Sequence, residues 1–374
     1  METTSGLVDS HSHLRATSLE EQGVVGSCLE EALLRMNAMT NIDPYDSALV
    51  ASSDLLLKGI TAVQMIFHTF GSPDHYLQTL EKTIAGLVES GIRARVVLAI
   101  TDQYEFATEF SNSNIQFPSF IDVGQRMSPR NFAEIVQEAQ RRFASIDLGV
   151  GPVAPQWCSD AMMETIGEIA DSGLRIHTHF LESAHQRNWI GEDPLRRLQR
   201  FGLLNQNCSL AHAIWVTDEE LEQIRESGAQ LVTCPRSNKY LRAGKAHVDR
   251  WLDKGIPFGI GLDSVGGEET AIGVARLSLD ESDALKALTR GGTLSTGLPT
   301  ESDRVTWQNW DLGIVETVSI NGVSIVETGA LRNEDEIKEI RARIAFALSS
   351  DAQARNIRHK QIDDIIPEFL REFV

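Results

Sequence analysis

The chain has 374 residues, with 34 Lys and Arg against 53 Asp and Glu, a formal charge of −19. That balance excludes nucleic acid and anionic membrane surfaces as partners, because neutralising phosphates needs clustered cations. With 42% hydrophobic and 23% charged residues the chain reads as globular, and its length fits either two or three domains or one large barrel.

Four scattered cysteines, Cys28, Cys158, Cys208 and Cys234, form no CxxC pair and no disulfide framework, so a reducing, cytoplasmic setting is expected. The opening METTSGLVDSHSHLR has no basic stretch followed by an apolar run, and no window approaches the roughly 18 apolar residues of a membrane span.

In chain order, strand-like runs rich in Val, Ile and Leu fall at 6–14, 60–68, 92–100, 148–154, 174–180, 208–214, 230–235 and 257–263. Helical spacing fills 73–90, 130–144, 159–172 and 217–227, with Ser159, Ser183 and Thr217 in capping positions. Glycines 59, 91, 173, 228 and 255 precede the next strand, as where a helix C-terminus turns. This series predicts a (β/α)8 barrel rather than an open nucleotide-binding sheet, since no GxGxxG follows the first strand. The longer connections 15–45 and 101–129 fall on the C-terminal face, where substrate loops sit. The tail predicts a hairpin around Asn321-Gly322, then helices at 333–349 and 361–372. The expected division is a hydrolase barrel over 1–305 and a hairpin-and-helix tail over 306–374.

Strand 1 carries His11 and His13, which the two-residue period of a strand turns to one face, where they can share a cation. An HxH pair on a surface strand is also common, so the pair alone decides nothing. Strand 5 repeats it with His177 and His179, followed by Glu182; strand 6 ends in His212 and strand 8 in Asp263. All fall at the C-terminal ends of their strands, the catalytic end of a barrel. Imidazoles with one carboxylate suit Zn²⁺ or Fe²⁺ with a position open for water.

These motifs, DSHSH, HTHFLES, LAHAIW, CPRSN and GLDS, carry a resemblance to the amidohydrolase superfamily, most closely its cytosine-deaminase-like branch of adenosine-derivative, guanine and triazine hydrolases. The resemblance covers about residues 6–300. It implies one metal held by His11, His13, His179 and Asp263, with zinc preferred over iron. It also implies that Asp263 takes the proton of a water acidified by the metal, that Glu182 protonates the substrate ring, and that His212 polarises the attacked centre. His177 has ligand, neighbouring and packing roles open to it. A carboxylated lysine would mark a two-metal relative, and no lysine lies between Lys82 and Lys239. Cys158 reads as inert packing.

His68, Gln156, Trp157 and Arg236 are the expected substrate contacts, with Arg15 as a further pocket candidate; Ser237 and Asn238 are expected to fix their loop. Two departures matter. The family places part of a β-sandwich before strand 1 and none is expected here, so that the C-terminal hairpin would expose edges and invite a homo-oligomer, most simply a dimer. Where adenosine-derivative deaminases carry a histidine on strand 4, this chain has Val153 within Gly151–Pro155, which weighs against a purine nucleoside. The favoured function is deamination of a small amino-substituted nitrogen heterocycle. The alternatives are hydrolysis of a cyclic amide or C–Cl bond at the same site and, from another class, an inactive metal-binding or assembly protein.

Overall fold

The computed structural model describes residues 2–69, 71–103, 105, 115–121, 126–191, 193–264 and 269–373. After a short strand β1 (Glu2–Thr4), the apolar runs become eight parallel strands: β2 (Leu7–Ser12), β3 (Ile60–Phe67), β4 (Arg93–Ile100), β5 (Asp147–Pro152), β6 (Arg175–Phe180), β7 (Cys208–His212), β8 (Gln230–Thr233) and β9 (Phe258–Ile260). They pair in chain order, and every residue of β3, ITAVQMIF, is buried. Burial along a whole strand is what a parallel strand covered on both faces requires. Helices α3 (Pro73–Ser90), α4 (Pro129–Arg142) and α5 (Asp160–Ala170) follow β3, β4 and β5. Ser159, Ser183 and Thr217 each cap a helix, accepting from the backbone N–H of Met162, Gln186 and Glu220. This is the (β/α)8 barrel expected from the strand series.

The first and last strands meet through the polypeptide just beyond β9. Asp263 N–H donates to the His11 carbonyl at 2.9 Å, and Leu262 N–H donates to Asp9 Oδ1 at 2.9 Å. A Cβ on Gly261 would lie 2.7 Å from His11 Cβ and 2.7 Å from Cys234 Sγ, so only glycine lets these backbones approach.

The first long connection contains α1 (Leu29–Met36) and leads into α2 (Pro44–Leu57). Of the second, residues 104, 106–114 and 122–125 lie outside the described residues. The hairpin turning at Asn321-Gly322 forms from β11 (Ile314–Ile320) and β12 (Val323–Glu327). It is part of a five-stranded antiparallel sheet that adds β10 (Arg304–Asn309), β13 (Ala330–Leu331) and, at one edge, β1. The edge expected to lie bare is therefore paired, and Trp307 Nε1–H donates to Thr4 Oγ1 at 3.0 Å across it. The expected division at residue 305 falls inside β10.

The two tail helices expected at 333–349 and 361–372 are one helix, Glu334–Phe373, with Pro367 inside it. The stretch between them has no apolar period to announce a helix, because its side chains make polar contacts instead. Arg358 donates to the Ala38 carbonyl at 3.0 Å and pairs with Asp351, while His359 Nε2–H donates to the Gln22 carbonyl at 2.7 Å. Farther along, Ile362 and Phe369 pack with Leu34 and Ala38 and with Ile115 and Ile121 of the second long connection. The C-terminal helix thus straps both long connections at the barrel mouth. Among the described residues no helix is long and apolar enough to cross a membrane.

Phe369 is fully buried, and Phe369→Ala is expected to cost about 3–5 kcal/mol locally. Amide exchange should then accelerate together in 350–373 and in α1. Unchanged exchange in α1 would mean that the helix does not brace it.

Candidate metal centre and active site

The two-residue period of β2 turns Asp9 and His11 into the barrel, and His13 follows just past the strand end. His177 and His179 repeat the period on β6, Glu182 lies in the turn before α6 (Ala184–Ile190), and His212 ends β7. His212 and Asp263 both adopt left-handed backbone, with φ of 68° and 59°. That conformation is costly for residues other than glycine and clusters where function over-determines it. Here it turns two polar side chains off their strand ends toward one centre.

His11 Nε2 and His13 Nε2 each lie 3.4 Å from Asp263 Oδ1, and His13 Nε2 lies 3.3 Å from His179 Nε2. Four donors about 2.1 Å from one tetrahedral cation would stand about 3.4 Å apart. The observed spacings match that, and His11 Nε2 is buried with no hydrogen-bond partner. The residues therefore fit a divalent cation. Donor atoms of His11, His212, Cys234 and Asp263 also fall within 4.8 Å of one another. Burial pushes the Cys234 thiol well above its ordinary value, so it is a poor ligand beside the imidazoles.

Burial drives His11, His13, His177 and His179 below the ordinary imidazole value, leaving them neutral with a lone pair to offer. Burial pushes Asp263 upward, but the surrounding imidazoles of His11, His13 and His212 outweigh it and hold the carboxyl well below its usual range. Glu182 lacks such support: burial raises it to about 7 against the pull of His212, 3.7 Å away. The site thus holds one carboxylate that stays ionised and one carboxyl poised near neutrality, the separation acid–base chemistry needs.

Asn238 Oδ1 lies 2.9 Å from His212 Nδ1, so CPRSN fixes a site imidazole as well as its loop. His177 stands behind His11 rather than in the donor set, with its Nε2 2.7 Å from His11 Nδ1. His68, Trp157 and Arg15 line the pocket with His13, His179, Glu182 and Asp263, under an apolar roof of Leu19, Leu29, Leu33, Met36 and Leu241. Burial lowers His68 to about 4. Gln156 is buried with neither amide atom hydrogen-bonded, and it is absent from the lining of that pocket. Arg236, expected as a substrate contact, is paired with Glu269 and lines a neighbouring polar cavity. Cys158 is buried, its thiol donating to the Ile100 carbonyl at 3.2 Å. Asp9 was legible in DSHSH from the same period that aligned the histidines, yet its role needs its partner strand.

Residues 3–307 match the sequence model of the amidohydrolase family. The 5-methylthioadenosine/S-adenosylhomocysteine deaminase of Dictyoglomus thermophilum is 28% identical over 267 residues, 69% of this chain and 56% of that protein. The match thus spans little more than half of the relative's length. Two solved structures share the fold. Atrazine chlorohydrolase from Arthrobacter aurescens TC1, complexed with zinc, has a TM-score of 0.72 at 20% identity over 92% of this chain and 88% of its own. An adenosine deaminase from Xanthomonas campestris with bound zinc gives 0.72 at 22% identity over 92% and 86%.

Because Glu182 keeps its proton to about pH 7 in the folded chain and the ordinary value is 4.5, the folded form binds the extra proton between those values. Stability of the metal-free protein should therefore be fully present below about pH 4.5 and fall as pH rises to about 7, by on the order of 3 kcal/mol from this group. In denaturant titrations, Glu182→Gln should gain on the wild type across that window and hold the gain above it. A constant difference would contradict the assignment.

Proposed function

Because the chain belongs to the amidohydrolase family, we propose that it is a metal-dependent aminohydrolase that removes ammonia from a small amino-substituted nitrogen heterocycle. The observation that carries this is the Glu182–His212 pair beside the donor set of His11, His13, His179 and Asp263. A site that only stored a metal has no use for a carboxyl poised near pH 7 against an imidazole.

The ligands are His11, His13, His179 and Asp263, and one zinc ion per chain is the preferred occupant. When bound, the cation supplies acidification of water near neutral pH. Asp263, ionised in its setting, would take up a proton from the attacking water. Glu182 delivers its proton to the ring nitrogen beside the attacked carbon, so that the ring does not accumulate negative charge. His212, oriented through Asn238, hydrogen-bonds the oxygen that forms on that carbon. The proton taken up by Asp263 passes to the exocyclic amine, which leaves as ammonia, while the new hydroxyl returns a proton to Glu182 and becomes the ring carbonyl, the ring nitrogen keeping the proton it received. Trp157 and the leucine roof provide a flat apolar slot with His68 at its edge. Residues 1–305 carry this chemistry, and the tail acts on it through the roof. Four free thiols, three of them buried, suit a cytoplasmic protein. Exposed Ile314 and Val323 on the small sheet favour a dimer, for which sedimentation should give twice the chain mass.

Purified protein loaded with zinc should release ammonia from a member of a purine, pyrimidine, pterin or triazine panel, lose that activity to a chelator and regain it with zinc. Release of chloride or a ring-opened product in its place would favour the cyclic-amide or C–Cl alternative. Glu182→Gln should lower turnover by about 10²–10⁴ with zinc content unchanged; intact turnover would sink the mechanism.

A further inference from the structure

Beneath the donor set lies a layer of buried polar groups that the proposed chemistry leaves unused, His177, Ser209 and Gln64, which meets the ligand His11. All four have zero solvent exposure and come from four different strands, β6, β7, β3 and β2. His11 Nδ1 lies 2.7 Å from His177 Nε2, and His177 Nδ1 lies 2.8 Å from Ser209 Oγ. Gln64 Nε2–H donates to Ser209 Oγ at 3.3 Å and to the Ser10 carbonyl at 3.1 Å.

We infer that His177 is a positioning residue that locks the ring and tautomer of His11 so that its Nε2 is the nitrogen offered to the metal. The inference rests on the metal-dependent reading of the site. Metal ligation through His11 Nε2 sets the direction. It leaves the His11 proton on Nδ1, donated to His177 Nε2, so that a neutral His177 carries its own proton on Nδ1, toward Ser209 Oγ. His11 Nε2 then faces Asp263 with no hydrogen-bond partner of its own. His179 has the same constraint from a main-chain group, its Nδ1 lying 2.8 Å from the Val153 carbonyl. For His11 the acceptor is a side chain and can be removed. A buried Nδ1–H without an acceptor costs the desolvation of that group, and the ring escapes the cost by rotating or by moving its proton to Nε2. Either escape withdraws a ligand.

The test is zinc affinity by competition with a chromogenic chelator, read without substrate, on wild type, His177→Phe, His177→Gln and Ser209→Ala. Phenylalanine fills the volume without an acceptor and should weaken zinc binding about 10–100-fold. Glutamine places an oxygen near the position of Nε2 and should recover most of it, and Ser209→Ala should fall between. ¹⁵N NMR of the zinc-loaded wild type should show His11 protonated at Nδ1. Wild-type affinity in His177→Phe, no recovery in His177→Gln, or ligation of His11 through Nδ1 would each overturn the assignment. Should the phenylalanine variant not fold, the glutamine and alanine variants and the NMR signature still decide. A wild type that takes up no zinc removes the premise of both readings, whereas zinc uptake that depends on His177 without ammonia release sinks only the functional one.

Discussion

The site depends on the seam where the barrel's first strand meets its last. Three short segments must place three imidazoles and a carboxylate within a few ångströms, and the segment after β9 does so through two hydrogen bonds. The His11 carbonyl takes Asp263 N–H, and the Asp9 carboxylate takes Leu262 N–H. Asp9 Oδ1 also accepts from His11 N–H at 3.2 Å, so one carboxylate ties both sides of the seam. Burial raises Asp9 to about 7 against those hydrogen bonds. Both main-chain donors act on Oδ1, while Oδ2 is buried without a hydrogen-bond partner. The left-handed turn at Asp263 follows from the same constraint: the backbone must bond inward to β2 and then send its side chain back over the barrel axis.

Around that seam the interior is sorted by height. At the C-terminal rim stand the donor set and the Glu182–His212 pair; one layer down lies the network of His177, Ser209 and Gln64; along the outer faces of the strands Val, Ile and Leu pack against the helices. Low local polarity serves both upper layers. It keeps the ligand imidazoles neutral and lifts Glu182 toward neutrality, and it makes an unpaired polar atom expensive; His11 Nε2 and His212 Nε2 are two such atoms at the site.

The far end of the chain acts on the same pocket. Arg35 of α1 pairs with Asp363 of the C-terminal helix, and Leu33 and Met36 of α1 face the cavity while Leu34 turns to Phe369. One short helix thus carries the tail on one side and the pocket roof on the other, a consequence of the three- and four-residue spacing of helical faces. The part of the roof that α1 contributes is braced by residues of the C-terminal helix, at the other end of the chain.

The alternation of strands and helices, the caps at Ser159, Ser183 and Thr217, and the placing of His11, His13, His179 and Asp263 near strand ends were legible in the sequence, because each depends on local period and residue type. Long-range contacts were not. Arg236 stands beside a site motif yet pairs with Glu269; the stretch 350–360 has no apolar face yet is helical because loop carbonyls wait for its arginines and histidine; β1 is three residues long and means nothing without β10. His177 has three roles open to it in the sequence, and its contact with the ring of His11 is a matter of two distant strands. The sequence by itself determined which residue types could gather at one end of a barrel, since strand period and strand order are local properties. Only the tertiary structure decided which nitrogen faces which oxygen, because that depends on backbone approach across the seam at Gly261 and on partners drawn from strands far apart in the chain.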